Sequence, residues 1–338
     1  MRILWSKTKK ICFALSIILS RVKPADRKSI QKAVTMPTAK EREQFVRALL
    51  GWYEKHGSDL PWRNLSNPYL VLVSECMLQQ TQVDRVIPKY HAFAEQFPDV
   101  ASLARASTGD VLRAWSGLGY NSRALRLQKF AREVVENHGG IIPSDIATLL
   151  TLPGIGKYTA GAIRTFGYGL PAAFIDVNIA RILHRVFFGA EGTYPALSTQ
   201  ETEELAAYLA PMTSEAYPYH QALMDVGRKF CTARKTTCAD CPLKTQCRAR
   251  MRFEAEPLYL AEHRKKNRRT KEPFALSQRF LRGRIIHLLR EHHEGLDFAE
   301  LHALLSAIPV PNLERLPKAL LDLEKEELLH LRENRYML

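Results

Sequence analysis

Four cysteines fall within seventeen residues, Cys231, Cys238, Cys241 and Cys247, in the spacing C-x6-C-x2-C-x5-C. Whatever fold the chain adopts must wrap that short loop around something the thiols share. Disulfides form in oxidising compartments, and no convincing export signal precedes the body of the chain. Structural zinc usually takes paired C-x2-C knuckles separated by a longer insert, whereas here one such pair is flanked by two single cysteines. So compact an all-thiolate loop suits a [4Fe–4S] cube, which takes four cysteine ligands. We therefore expect a [4Fe–4S] cofactor, with zinc and disulfides as the alternatives. Cys12 and Cys76 are expected to be unligated, Cys76 as a small buried filler on its helix.

The chain has 338 residues, enough for two or three domains, and a net charge of +14. Nine Lys/Arg and one acid lie in residues 1–38, and the run RKKNRRTK adds six positive charges at 264–271. These two stretches account for the whole excess, so the rest of the chain is neutral. Localised basic charge points to a nucleic-acid partner. The apolar stretch ICFALSIIL at 11–19 is too short to span a bilayer and lacks a following cleavage site. Residues 1–38 are therefore expected to be a basic, disordered extension, with Met36 a plausible start. A cytoplasmic protein, associated with the nucleoid through DNA and without a membrane partner, is the expectation.

From Thr38 onward helical spacing dominates. Phe45, Leu49, Leu50 and Tyr53 recur on one face, Asn67 and Pro68 occupy cap and first-turn positions, and STQE at 198–201 is a capping box. No alternating strand pattern precedes residue 326, so the chain is expected to be all-α. The stretch 251–275, with its basic run, reads as a linker. Beyond it come three amphipathic helices, near 277–291, 297–305 and 313–325. Two short strands then flank Glu333–Asn334, a winged-helix pattern over 276–338.

The stretch LPGIGKYTAGAI, 152–163, interrupts two apolar segments with glycines and then launches a helix. Glycine lets the backbone approach a partner closely, and a helix N-terminus favours an anion. Downstream, FIDVNIARI sets Asp176 before another helix, where an acid could simply be an N-cap. Glu75 lies in SECMLQQTQ, on a helix otherwise made of Leu70, Val71, Val73, Met77 and Leu78. Glutamates usually face solvent; one on a buried helix would have a raised pKa and could hold a proton at neutral pH.

Turn, aspartate and cysteine loop together resemble the endonuclease III (helix–hairpin–helix) superfamily of DNA glycosylases, over about residues 40–250. MLQQTQ resembles its MutY-type adenine glycosylases most. The resemblance implies a six-helix barrel domain, 63–172, and an iron–sulfur domain, 39–62 with 173–250. It implies a monomer that acts on double-stranded DNA containing a mismatched or oxidised pair, removing adenine opposite 8-oxoguanine or guanine. In its light Leu152, Gly154 and Gly156 hold a DNA phosphate. Asp176, with Asn178 beside it in sequence, faces the sugar C1′, where a fixed anion stabilises an oxocarbenium-like state. Glu75 protonates adenine N7. Gln79 and Gln80 enter the duplex around the extruded base, and Tyr120 is the wedge beside the opposite base. Trp62, Arg63 and Gln221 line the adenine pocket, though Trp62 would otherwise read as a core aromatic. Bifunctional relatives carry a lysine where this chain has Tyr158. A phenol cannot form a Schiff base, so a monofunctional enzyme is expected.

This sequence departs from the pattern at Val177, usually glycine, and at Asn121, usually tyrosine and here expected to cap a helix. The 91 residues after Cys247 are also too few and too helical for the family's usual C-terminal domain, which resembles nucleotide-diphosphate hydrolases and helps read 8-oxoguanine. Two other functions remain open: a thymine glycosylase for G:T mismatches, against which MLQQTQ argues, and an iron–sulfur DNA-binding regulator. The regulator would not need Glu75, Tyr158 and Asp176.

Overall fold

A computed structural model describes residues 36–194, 197–266, 273–307 and 313–338. The N-terminal extension up to residue 35, with Cys12, and positions 267–271 of the basic run lie outside the described residues. The described chain is mostly helical and divides into two units, its described residues within 56–176, 210–221 and 273–338 forming one and those within 36–55, 177–209 and 222–266 the other. No helix among the described residues is long and apolar enough to cross a membrane.

The first unit is built around the helix Pro68–Leu78. Asn67 caps it, its Oδ1 accepting the N–H groups of Tyr69 and Leu70 at 3.0 Å each, and Pro68 supplies a preset φ in the first turn. Tyr69, Val71, Leu72, Val73, Ser74, Glu75 and Met77 are all buried. A helix apolar on every side belongs inside a bundle. Around it stand Val83–Gln96 and Ser122–Asn137, whose Phe93 and Phe130 pack into one core with Trp115. Each such side chain contributes roughly 1.5–3 kcal/mol on full burial.

The expected helical hairpin follows. Helix Ile146–Leu149 leads into the turn, and Lys157–Ala162 leaves it, continuing as a π-helical stretch Ile163–Gly167. Gly154 has φ of +79°, a conformation a side chain rarely takes, and a Cβ there would lie 3.1 Å from Arg126 Cβ. Gly161 is required for a different reason: a Cβ would lie 2.5 Å from Phe174 Cδ1. That close approach seats the segment leading to Asp176 against the hairpin's second helix.

The C-terminal helices are Gln278–Glu291, Phe298–Ser306 and Leu316–Lys325, followed by antiparallel strands His330–Arg332 and Arg335–Met337. Glu333 and Asn334 turn between the strands with φ of +48° and +63°, the left-handed pair a two-residue hairpin needs. Leu296 joins them through two backbone hydrogen bonds with Tyr336. Three helices and a hairpin thus come in the order the sequence predicts. The segment shares its apolar core with earlier helices. Leu281, Ile285, Ile286 and Leu289 share one apolar cluster with Leu112 and Trp115, and Lys129 pairs with Glu327 at 2.7 Å. A segment of this size buries too little apolar surface to be more than marginal alone, which favours the shared core.

In the second unit Phe45 and Leu49 are fully buried on Ala39–His56, and Phe45 meets Phe187 edge-on at 5.1 Å. Ser198 and Glu201 exchange the expected capping-box bonds ahead of Thr199–Leu209. One expectation changes: residues 251–275 are not simply a linker. Helices Arg250–Ala255 and Tyr259–Lys266 occupy part of them, with Phe253 and Leu260 buried against Ala190 and Ala249. The neighbouring basic run masked these two apolar anchors in the sequence pattern.

Candidate active site

Glu75 faces inward from the central helix and is 9 % exposed. Burial pushes its carboxyl up to about 7; the Tyr158 hydroxyl, donating to it, acts the other way, Asp176 adds to the rise, and Arg63 opposes it. Tyr158 emerges from the first turn of Lys157–Ala162, its ring edge-on to Phe174 at 5.4 Å. Burial, then the charges of Glu75 and Asp176, raises its phenol well above the usual value, so it stays protonated and donates. Asp176 is half-buried at the end of the extended stretch before Val177–Phe187. Three segments far apart in sequence thus bring two carboxyls and a phenol into one electrostatic neighbourhood.

The Arg63 charge acts on both Glu75 and Tyr217, and Tyr217 links to Gln221. The Tyr217 hydroxyl accepts the Asn64 N–H at 2.8 Å, and its side chain also hydrogen-bonds Gln221. Trp62, 6 % exposed, packs in the apolar core of the first unit, edge-on to Tyr90 at 5.4 Å. A residue the sequence did not single out, His220, stacks on Phe174 with centroids 3.8 Å apart and places Nε2 3.0 Å from the Ala172 carbonyl. Burial lowers its pKa to about 4, so the ring is neutral and its Nε2–H donates. It braces the extended stretch that ends in Asp176.

Gln79 and Gln80 are exposed at the C-terminal end of the central helix, Gln80 with φ of +58°. Tyr120 is 36 % exposed, with φ of +48°, on the loop between Trp115 and Ser122. Sequence reasoning missed what unites them. Arg123, 4 % exposed, sends Nη1 to the carbonyls of Cys76, Met77 and Gln79 at 2.7, 2.9 and 2.7 Å. Its Nη2 reaches the carbonyls of Leu118 and Gly119 at 3.1 and 3.0 Å. One buried guanidinium therefore satisfies the helix end and ties the glutamine segment to the tyrosine loop. The sequence signal was an arginine on the apolar face of SRALRLQKF. Asn121 precedes Ser122–Asn137 but does not cap it by its side chain; its Oδ1 accepts from Arg290 Nη2 at 3.0 Å instead. Cys76 is half-buried with a free thiol.

In the turn, Leu152 is buried, while Gly154 and Gly156 are exposed. Gly156 occupies the cap position without offering a side chain, and apart from its own chain neighbours no described atom lies within 4 Å of where its Cβ would be. The backbone there is open to a large partner.

The second unit holds Asn178, whose Oδ1 accepts from Arg181 Nη1 at 2.9 Å. It also holds the cysteine loop. Cys231, Cys238, Cys241 and Cys247 line one cavity with Ile182, Val226 and Phe253. No group of three or more His, Cys, Asp or Glu among the described residues is gathered closely enough for a metal ion. The four thiols line one cavity, and four cysteine ligands are what a [4Fe–4S] cluster takes. Each sulfur has a donor: Arg185 Nη1 to Cys231 at 3.3 Å, Thr236 to Cys238, the Leu243 N–H to Cys241, and the Ala249 and Arg250 N–H groups to Cys247. Burial nevertheless pushes Cys241 up to about 12 and Cys247 to about 11. Thiolates crowded in an apolar pocket need a cation among them, and the residues present fit a [4Fe–4S] cluster.

Residues 73–207 match the family described as HhH-GPD superfamily base excision DNA repair protein. The adenine DNA glycosylase of Mycolicibacterium smegmatis is 37% identical over 276 residues, covering 81% of this chain and 90% of that protein. Human adenine DNA glycosylase is 42% identical over 225 residues, covering 63% of this chain. The match spans only 41% of the human protein's length. Among solved structures, that of a thermostable thymine-DNA glycosylase matches with a TM-score of 0.58 at 29% identity, covering 63% of this chain and 98% of that one.

Proposed function

The chain belongs to the adenine DNA glycosylases of the HhH-GPD superfamily of base excision DNA repair proteins, and from that premise we propose that it hydrolyses the N-glycosidic bond of adenine mispaired with 8-oxoguanine or guanine. The observation that carries this reading is the buried Glu75 carboxyl, raised to about 7 and hydrogen-bonded by Tyr158 beside Asp176. Extruding a base from the duplex costs a few kcal/mol of stacking and pairing. Gln79, Gln80 and Tyr120 fill the gap it leaves, while Trp62, Arg63 and Gln221 line the pocket that receives adenine. The open turn of Leu152, Gly154 and Gly156 holds a phosphate near the extruded nucleotide, which positions it without reading sequence.

With Tyr158 donating to one carboxyl oxygen, Glu75 keeps its proton on the other and delivers it to adenine N7 as the C1′–N9 bond breaks. Asp176 stabilises the cationic sugar, with Asn178 close by in sequence. Water adds to C1′, and its released proton restores Glu75. Tyr158 stays a phenol throughout, so no imine forms and the strand is left intact. Cys231, Cys238, Cys241 and Cys247 would hold a [4Fe–4S] cluster, which would supply a cross-link of the 231–247 loop.

The test is a panel of labelled duplexes: A opposite 8-oxoguanine, A opposite G, T opposite G, and oxidised pyrimidines, each scored with and without alkali. Release of adenine alone, with strand cleavage only after alkali, supports the proposal. The likeness to a thymine-DNA glycosylase favours a second reading. Release of thymine from the G:T duplex and not of adenine would establish that reading instead.

A further inference from the structure

The C-terminal helices reach the Tyr120 loop. Arg279, in the first turn of Gln278–Glu291, lies with its guanidinium 3.9 Å from the centroid of the Tyr120 ring and 5.4 Å from that of Phe274. On the same helix, Arg290 donates to Asn121 Oδ1 at 3.0 Å. Eleven residues separate the two arginines, about three helical turns, so they share one face. That face meets consecutive residues of a loop whose tyrosine holds a left-handed φ of +48°. Such a conformation costs energy in a bulky residue and persists where its surroundings fix it.

Resting on the glycosylase reading above, we propose that Arg279 and Arg290 are positioning residues for the Tyr120 wedge, which makes the C-terminal helices part of the base-extruding machinery. Arg290 anchors the loop at Asn121, and Arg279 sets the plane of the Tyr120 ring. A guanidinium lying over an aromatic face keeps its N–H donors in its own plane, so it holds the ring and still meets water at its edge. The buried Arg123 braces the same loop from within, its guanidinium 5.5 Å from the Tyr120 centroid. Tyr120 is thereby poised before DNA arrives, which lowers the cost of ordering it in the complex.

The test uses the full chain and a duplex with 2-aminopurine beside the target adenine, whose fluorescence reports unstacking. Arg279 is exposed, so Arg279→Ala should fold with an unchanged Tm. Both the fluorescence rise and the single-turnover rate should fall about two- to five-fold, the worth of an exposed cation–π contact. Duplex affinity should fall by no more than the same factor, with unchanged salt dependence, and Arg279→Lys should recover part of the loss. In a Tyr120→Ala background Arg279→Ala should cost nothing further. The same loss in that background would overturn the proposal. So would weaker binding with a shallower salt dependence and normal fluorescence, because Arg279 would then be a phosphate contact. Failure of wild type to release adenine would refute the glycosylase reading alone, since the fluorescence arm reads the wedge without base release.

Discussion

Glu75→Gln should make the protein more stable at high pH while abolishing base release. In the folded chain Glu75 holds its proton up to about 7, against a reference value of 4.5. An unfolded chain releases it near the reference value, so rising pH favours unfolding across this window. The contribution is fully present below the unfolded pKa and lost as pH rises through the folded one. With both values, the penalty carried by wild type is about 1 kcal/mol near pH 5 and about 3 kcal/mol near pH 8. Exposure of 9 % leaves little solvent screening to discount it. Glutamine cannot ionise, fills the same volume, and can still accept from the Tyr158 hydroxyl. Denaturant unfolding of both proteins at the two pH values gives the difference directly, because every other titrating group is common to them. The variant should gain about 2 kcal/mol relative to wild type between pH 5 and pH 8. A stability difference that does not change with pH would refute the reasoning, since Glu75 would then titrate like an ordinary surface carboxyl.

Asp176→Asn should bind a mismatched duplex at least as tightly as wild type, because it removes a negative charge beside phosphates. Its single-turnover base release should fall by at least about a hundredfold, the scale of losing one preorganised electrostatic group. Cys238→Ser should lose the visible absorbance of the cluster and weaken duplex binding more than it slows chemistry, if Arg234 and Lys235 within the loop and Arg248 after it meet phosphates; unchanged binding would refute that role for the loop. Gly161→Ala drives a Cβ to within 2.5 Å of Phe174 and should cost about 1–3 kcal/mol in denaturant unfolding, with lower activity as Asp176 shifts.

Local chemistry made much of this molecule legible in its sequence. Asn67 with Pro68, and Ser198 with Glu201, marked helix starts that the structure reproduces, because a cap is a matter of three or four consecutive residues. The C-terminal hairpin was visible for the same reason. The turn around Gly154 needed only two glycines at fixed spacing. The buried setting of Glu75 followed from the apolar residues on its own helix. What could not be read was long-range. Arg123 looks like any helical arginine until the carbonyls of Cys76 and Gln79 are brought to it across more than forty residues. The bond from Arg290 to Asn121 spans 169 positions, and an asparagine before a helix reads naturally as its cap. Phe253 and Leu260 were hidden because charge in their neighbourhood suggested a solvated linker.

The central claim is that Glu75 supplies the proton that releases adenine, and its most direct test is the pH dependence of single-turnover adenine release from a duplex with adenine opposite 8-oxoguanine. For wild type the rate should be level below about 7 and then fall about tenfold per pH unit, as the essential acid ionises. The DNA strand should stay whole until alkali is added. A rate that stays level well above pH 7, or a Glu75→Gln variant that still releases adenine, would contradict the claim.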